Sequence, residues 1–167
     1  MTTIACTLKE IAADTRVGWE GVGTDAFIAR KIYSTERAIY GVSGEDCTGS
    51  LTAIKWLQSG KGEDFKPLPP DFDHGWDWRL IELSAAGIAV YNERLEQEIT
   101  DEPFLAIGSG RKVAMYCMKE MGMSPAEAVR EACKVDHFSE LPIYHAKLSD
   151  RVVKRWTPTK TKRKAKR

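Results

Sequence analysis

Long hydrophobic runs are missing from this 167-residue sequence. No stretch of about 18 apolar residues occurs, which excludes a membrane-spanning helix. The opening MTTIACTLKE has neither the basic segment nor the long apolar core of a secretory signal, so a cytoplasmic location is expected. Cysteine is sparse: Cys6, Cys47, Cys117 and Cys133 lie far apart, with no CxxC pair. That spacing argues against a zinc site and for reduced thiols packed inside a cytosolic protein. His74, His137 and His145 have no HExxH-like spacing, so neither a metal nor another cofactor is expected. Gly108-Ser109-Gly110 lacks the remaining glycines of a dinucleotide fingerprint, and the following segment has no P-loop lysine-threonine pair. Nucleotide binding therefore has little support, and no internal repeat is present.

What remains is the composition of one ordinary globular domain, 43% hydrophobic and 29% charged. The net charge of +1 conceals an asymmetry. Eight lysines and arginines fall in the last fourteen residues without an acid among them, leaving about −7 for the rest. A folded domain over residues 1–153 and a basic, disordered tail over 154–167 are expected. The tail is either a solvated, solubilising segment or a phosphate-contacting arm for nucleic acid.

Along the chain, TTIACTLK and IAAD read as two short strands joined by a tight turn near Lys9-Glu10. Gly18, Gly21 and Gly23 mark a loop before the extended segment FIARKIY. ERAIYGVSG reads as a buried strand ending at the Gly41–Gly44 turn. A helix over 46–58 follows, with Cys47, Leu51, Ile54 and Leu57 at helical spacing and Gly60 as its stop. Residues 59–77, with Pro67, Pro69 and Pro70, read as a long exposed loop. WRLIELS, GIAVYN, RLEQEI and FLAIGSG read as strands. GRKVAMYCMKEMG reads as a helix with Val113, Ala114, Cys117 and Met121 on one side and Gly122 as its stop. Ser124-Pro125-Ala126-Glu127 carries a capping box and a first-turn proline, the signature of a second helix start. LPIYHAKL closes the domain as a strand. Consecutive strands favour antiparallel pairing and one-sided helices must cover a sheet, so two sheets between helix layers satisfy the order.

Several residues in this frame could do chemistry. Removal of Met1 is expected because Thr2 is small. A terminal Thr2 then has a hydroxyl beside an α-amine whose reference pKa is about 7.7–8.0, so one residue supplies nucleophile and base. Asp14 and Lys31 each follow a strand and could meet near that terminus, the lysine depressing the amine's pKa and the aspartate holding the lysine. They could equally be an exposed turn aspartate and a solvated lysine. The Gly41-Val42-Ser43-Gly44 turn either presents backbone N–H groups to a developing oxyanion or is an ordinary strand-to-helix turn. Ser109, between two glycines, either forms an anion-binding nest or caps a helix. Asp136 and Ser139 lie just past a helix, where polar residues commonly end one.

Taken in order, these residues resemble the catalytic β-subunits of proteasomes and the bacterial peptidase HslV. TTIACTL is similar to the family's TTI opening, AADTR to its aspartate-bearing strand end and ARKIY to its lysine segment. AIYGVSG is similar to IAGFAG, FLAIGSG to IAIGSG, and DHFS to the family's Asp-x-x-Ser. The resemblance covers about residues 2–148. It implies the α+β, four-layer αββα sandwich of N-terminal nucleophile hydrolases, two antiparallel sheets between helix layers. It also implies a threonine peptidase acting through an acyl-enzyme on Thr2. Lys31 would tune the amine, Asp14 would hold the lysine, and the Gly41 amide would bind the oxyanion. Ser109, Asp136 and Ser139 would orient the N-terminus. Peptide or unfolded protein substrates, a homo-oligomeric ring and a ring-ATPase unfoldase are the implied partners, without a membrane.

Three features depart from the family pattern. The hairpin between Thr2 and Asp14 is shorter by a few residues, the proline-bearing 59–77 stands where a second long helix is usual, and the basic tail has no counterpart. Maturation should need only loss of Met1. Two other readings use the same scaffold: a small-amide amidase, and a non-catalytic assembly or nucleic-acid-binding protein that relies on its tail.

Overall fold

The computed structural model describes residues 2–17, 27–44, 47–59, 78–99 and 101–157. The chain opens with β1 (Thr3–Thr7) and β2 (Glu10–Ala13), paired antiparallel with Cys6 opposite Ile11. Between them Thr7 Oγ1 accepts the Glu10 N–H at 3.2 Å, which closes the tight turn expected there. β3 (Arg16–Val17) and β4 (Phe27–Ile28) form a two-stranded ladder of their own. β5 (Ile32–Ser34) and β6 (Ala38–Gly44) precede helix α1 (Cys47–Gln58). β7 (Trp78–Ser84), β8 (Gly87–Tyr91) and β9 (Gln97–Ile99) continue the same sheet, in the spatial order β5-β6-β7-β8-β9. β10 (Phe104–Gly108) then returns to pair with β1, and helices α2 (Arg111–Met121) and α3 (Pro125–Ala132) follow. β11 (Tyr144–Lys147) and β12 (Lys154–Arg155) complete the first sheet, ordered β10-β1-β2-β11-β12.

All these pairings are antiparallel, and the alternation of side chains sorts the residues into layers. Ile4, Cys6, Ile11 and Ala13 of one sheet meet Ile32, Ile39, Ile81, Leu83 and Val90 of the other in the central core. On the far side of the first sheet, Ala5, Ala12 and Ala106 admit α2 and α3 closely, with Ala114, Cys117, Ala128 and Val129 facing them. On the far side of the second, Tyr40, Val42, Leu80 and Tyr91 pack against Ala53 and Ile54 of α1. The molecule is therefore an αββα sandwich, the arrangement expected from the sequence.

Two helix faces differ in detail from the sequence pattern. Ser50 and Ala53 lie against the sheet while Leu51 is exposed, because small residues let α1 approach a surface already filled by tyrosines. In α2 the buried residue of the last turn is Met118, and Met121 is exposed. The start of α3 is as expected: Ser124 and Glu127 form the capping box, with Pro125 in the first turn. Gly122 ends α2 in the left-handed conformation at φ 63°, which glycine adopts without a Cβ penalty.

The domain boundary moves. Lys154 and Arg155 pair with His145 and Tyr144, and Trp156 donates its N–H to Ile143 O at 2.9 Å. The Trp156 ring packs on the helix side of the first sheet, beneath the Arg130 guanidinium at 5.5 Å. The expected tail start at 154 is thus too early, since a strand and an indole beyond it are integrated. Residues 158–167, with most of the basic charge, lie outside the described residues, as do Gly18, Gly21, Gly23 and residues 60–77.

Candidate active site

The β1–β2 hairpin brings Asp14 back beside the start of the chain. Its N–H donates to Thr3 O at 3.1 Å, and its carboxylate Oδ1 accepts the Thr3 N–H at 2.9 Å. The same Oδ1 accepts Lys31 Nζ at 2.9 Å, while Oδ2 accepts the N–H of Arg16 at 2.9 Å and of Glu140 at 3.3 Å. Lys31 Nζ also donates to Arg16 O at 2.5 Å. Asp14 is 0% exposed, Lys31 7% and Thr2 2%, so the solvated-turn reading of this pair is excluded. The short hairpin still delivers Asp14 to the N-terminal segment, because the register, not the loop length, sets where the strand ends meet.

A second network lies on the helix side of the same strand end. Asp136 Oδ2 accepts Ser109 Oγ at 2.7 Å, Ser139 Oγ at 2.5 Å and, more distantly, Thr3 Oγ1 at 3.4 Å. The Thr3 and Ser139 hydroxyls are themselves 2.6 Å apart. Burial works against ionisation of Asp136, but donors from Ser139, Ser109, the Phe138 N–H and Thr3 outweigh it and hold the carboxyl below its ordinary range. Ser109 also donates its N–H to Thr2 O at 2.8 Å and its hydroxyl to the same oxygen at 3.3 Å. Ser109 therefore does not cap α2, whose N-cap is Gly110 without a side-chain bond.

The two glycines flanking Ser109 explain the closeness of these groups. A Cβ on Gly108, which has φ 90°, would lie 1.8 Å from Thr2 O. One on Gly110 would lie 2.1 Å from Thr3 Oγ1 and 3.2 Å from Asp136 Oδ2. The β10–α2 corner can touch β1 only where no side chain intervenes. Behind the networks, burial and the nearby Asp14 and Asp136 charges push the Cys133 thiol up to about 12, so it is protonated at neutral pH and no rival nucleophile.

Thr2, Asp14 and Lys31 are thus collected at one strand end, with Ser109, Asp136 and Ser139 on its other face. Gly41 is placed differently. It lies mid-strand in β6, opposite Ile32 of β5 and Ile81 of β7, and β6 runs to Gly44 without the expected turn. Val42 N–H donates to Lys31 O and Thr35 N–H to Ala38 O, so the alternation turns the Gly41 N–H toward β7. Glycine suits position 41 for packing: a Cβ there would lie 2.7 Å from Ile11 Cδ1 and 3.0 Å from Ile4 Cγ2. The expected oxyanion role of this amide is not met by that register.

The sequence alone does not single out Thr3, whose amide meets Asp14 and whose hydroxyl joins Ser139 and Asp136. The Thr2-Thr3 doublet is its only signal. Gly108 and Gly110 have the spacing of turn residues, although contact with β1 is what demands them.

No protein-family model matches the sequence, and a search of curated proteins by sequence finds no significant match. Comparison of the fold does find relatives. Eukaryotic HslV from Trypanosoma brucei superposes with a TM-score of 0.65 at 18% identity, covering 86% of this chain and 97% of that one. BPH from Thiobacillus denitrificans gives 0.60 at 18% identity over 95% and 99% of the two chains. The same protein in complex with epoxomicin also matches, at 0.60 and 18% identity over 94% and 99%. Similarity at this identity establishes the architecture: the chain has the fold of N-terminal nucleophile hydrolases, shared with HslV.

Proposed function

We propose that this protein is an N-terminal threonine peptidase whose nucleophile is Thr2, released by removal of Met1. The observation that carries the reading is the buried Asp14–Lys31 pair, whose shared carboxylate oxygen is tied to the amide one residue from Thr2. Burying such a pair costs several kcal/mol per ion in desolvation, so stabilisation alone is a weak reason for its presence. Among the described residues the Thr2 hydroxyl makes no hydrogen bond, so no described partner competes for it.

In this reading the free amine of Thr2 takes the proton from Oγ1 as the oxygen attacks the scissile carbonyl carbon. The proton passes to the departing amine when the C–N bond breaks, and water then hydrolyses the ester on Thr2. Lys31 lowers the proton affinity of the amine by charge repulsion, and Asp14 holds Lys31 in place. Ser109 fixes the Thr2 carbonyl and so the terminus. Peptides or unfolded proteins are the substrates. A homo-oligomeric ring working with a ring ATPase is part of the same proposal, by analogy with HslV, and sedimentation of the purified chain tests the assembly.

The deciding experiment is intact mass before and after incubation with a peptidyl epoxyketone, a reagent that needs a hydroxyl and a free amine on one residue. Loss of Met1 and a single adduct, absent in Thr2→Ala, is the expected result. A chain that retains Met1 and forms no adduct, or a Thr2→Ala protein that still hydrolyses peptides, overturns the proposal.

A further inference from the structure

The register that turns the Gly41 amide into the sheet leaves the oxyanion without its expected donor. Side chains of β6 alternate between the α1 side, where Tyr40 and Val42 lie, and the space between the sheets, where Ile39 lies. Ser43 is on the second face, two residues beyond Gly41 toward the open end, and it is half-buried. Thr2 reaches the same space from the opposite sheet, because Ile4 and Cys6 of β1 face inward and the alternation carries to Thr2, two residues before Ile4.

Gly108 locates the two residues relative to each other. A methyl built on it would lie 1.8 Å from Thr2 O and 3.4 Å from Ser43 Oγ, so these oxygens flank a single point. Any side chain at 108 would separate them. Among the described residues the Ser43 hydroxyl has no hydrogen-bond partner, and it is partly open to solvent. An O–H donor with no partner among the described residues thus stands half-buried on the inter-sheet face, across glycine from the residue proposed as nucleophile.

We infer that Ser43 is a catalytic residue, its hydroxyl donating a hydrogen bond to the oxyanion formed when Thr2 attacks a peptide carbonyl. This inference rests on the threonine-peptidase reading. As the Oγ1–carbon bond forms, the carbonyl π electrons move onto oxygen. Ser43 stabilises that charge without giving up its proton, and the hydrogen bond weakens again when the carbonyl re-forms and the amine departs. Such a donor acts on the transition state more than on the bound substrate.

Ser43→Ala and Ser43→Thr separate this role from packing. Ser43→Ala should lower kcat about 10²- to 10³-fold, the usual effect of removing one oxyanion donor, with KM and the thermal midpoint little changed. The epoxyketone should still label Thr2 in that variant, more slowly. Ser43→Thr, which keeps a hydroxyl, should recover most of the rate. A Ser43→Ala enzyme with wild-type kcat, in a protein whose labelling and turnover still depend on Thr2, overturns the role of Ser43 and leaves the peptidase reading standing. If Ser43→Ala fails to fold, Ser43→Cys, a weaker donor of similar size, takes its place. A graded loss of kcat then supports the role, and an unchanged kcat overturns it. Failure of the wild-type chain to label at Thr2 overturns both readings together.

Discussion

Removing Lys31 leaves the Asp14 carboxylate buried without its cationic partner, with backbone amides as its remaining donors. Lys31→Met should therefore destabilise the protein by about 3–5 kcal/mol, read from urea unfolding, and abolish epoxyketone labelling. Replacing both partners, as Asp14→Leu with Lys31→Met, should cost clearly less than the two single changes added together. A purely additive result would mean that the pair is not coupled. Asp136 yields a pH prediction. Its carboxyl is held below the ordinary value, so its stabilising contribution is present above the unfolded-state pKa near 3.9 and is lost as pH falls through the lower folded value. Unfolding measured between about pH 5 and pH 2 should show wild-type stability declining with acid, and Asp136→Asn should flatten part of that decline.

At the scale of the element, the β10–α2 corner is the most constrained part of the site. Gly110→Ala would place a methyl 2.1 Å from the Thr3 hydroxyl, so either Thr3 or the start of α2 must move. Overpacking of this kind costs about 1–3 kcal/mol, and labelling of Thr2 should fall along with stability. The start of α3 is legible in the sequence alone, because capping chemistry is local and Ser124, Pro125 and Glu127 are neighbours. The inner faces of α1 and α2 are less so. Leu51 and Met121 fit a helical stripe as well as Ser50 and Met118 do, and the opposing surface chooses between them.

At the scale of the whole molecule, the last strand among the described residues carries the domain past residue 153. Truncation after residue 153 removes β12 and the Trp156 indole, which packs on the helix side and under Arg130. That variant should melt several degrees below the full chain, as expected for a loss of about 1–2 kcal/mol in a domain of this size. Truncation after 157 keeps β12 and Trp156 and is the reference for the comparison. Equal midpoints for the two truncations would show that β12 contributes nothing to stability.

Periodicity, turn residues and caps are enough to find α1, α2 and α3, the main strands and the layered architecture. In contrast, β3, the division of FIARKIY into β4 and β5, and β12 emerge only in the fold. Thr2, Asp14, Lys31, Ser109, Asp136 and Ser139 are each open to a bland reading from position alone. It is the resemblance to proteasome β-subunits and HslV, taken in order along the chain, that singles them out. Their meeting cannot be read from spacing. Asp14 joins Thr3 and Lys31 through strand register and burial, and Thr3 joins Asp136 and Ser139 across more than a hundred residues of chain. The direction of the Gly41 amide depends on the same long-range pairing. A strand side chain repeats every two residues, so a one-residue difference in register reverses which groups face the sheet and which face the site. That choice is made by partner strands distant in sequence, and only the folded molecule makes it.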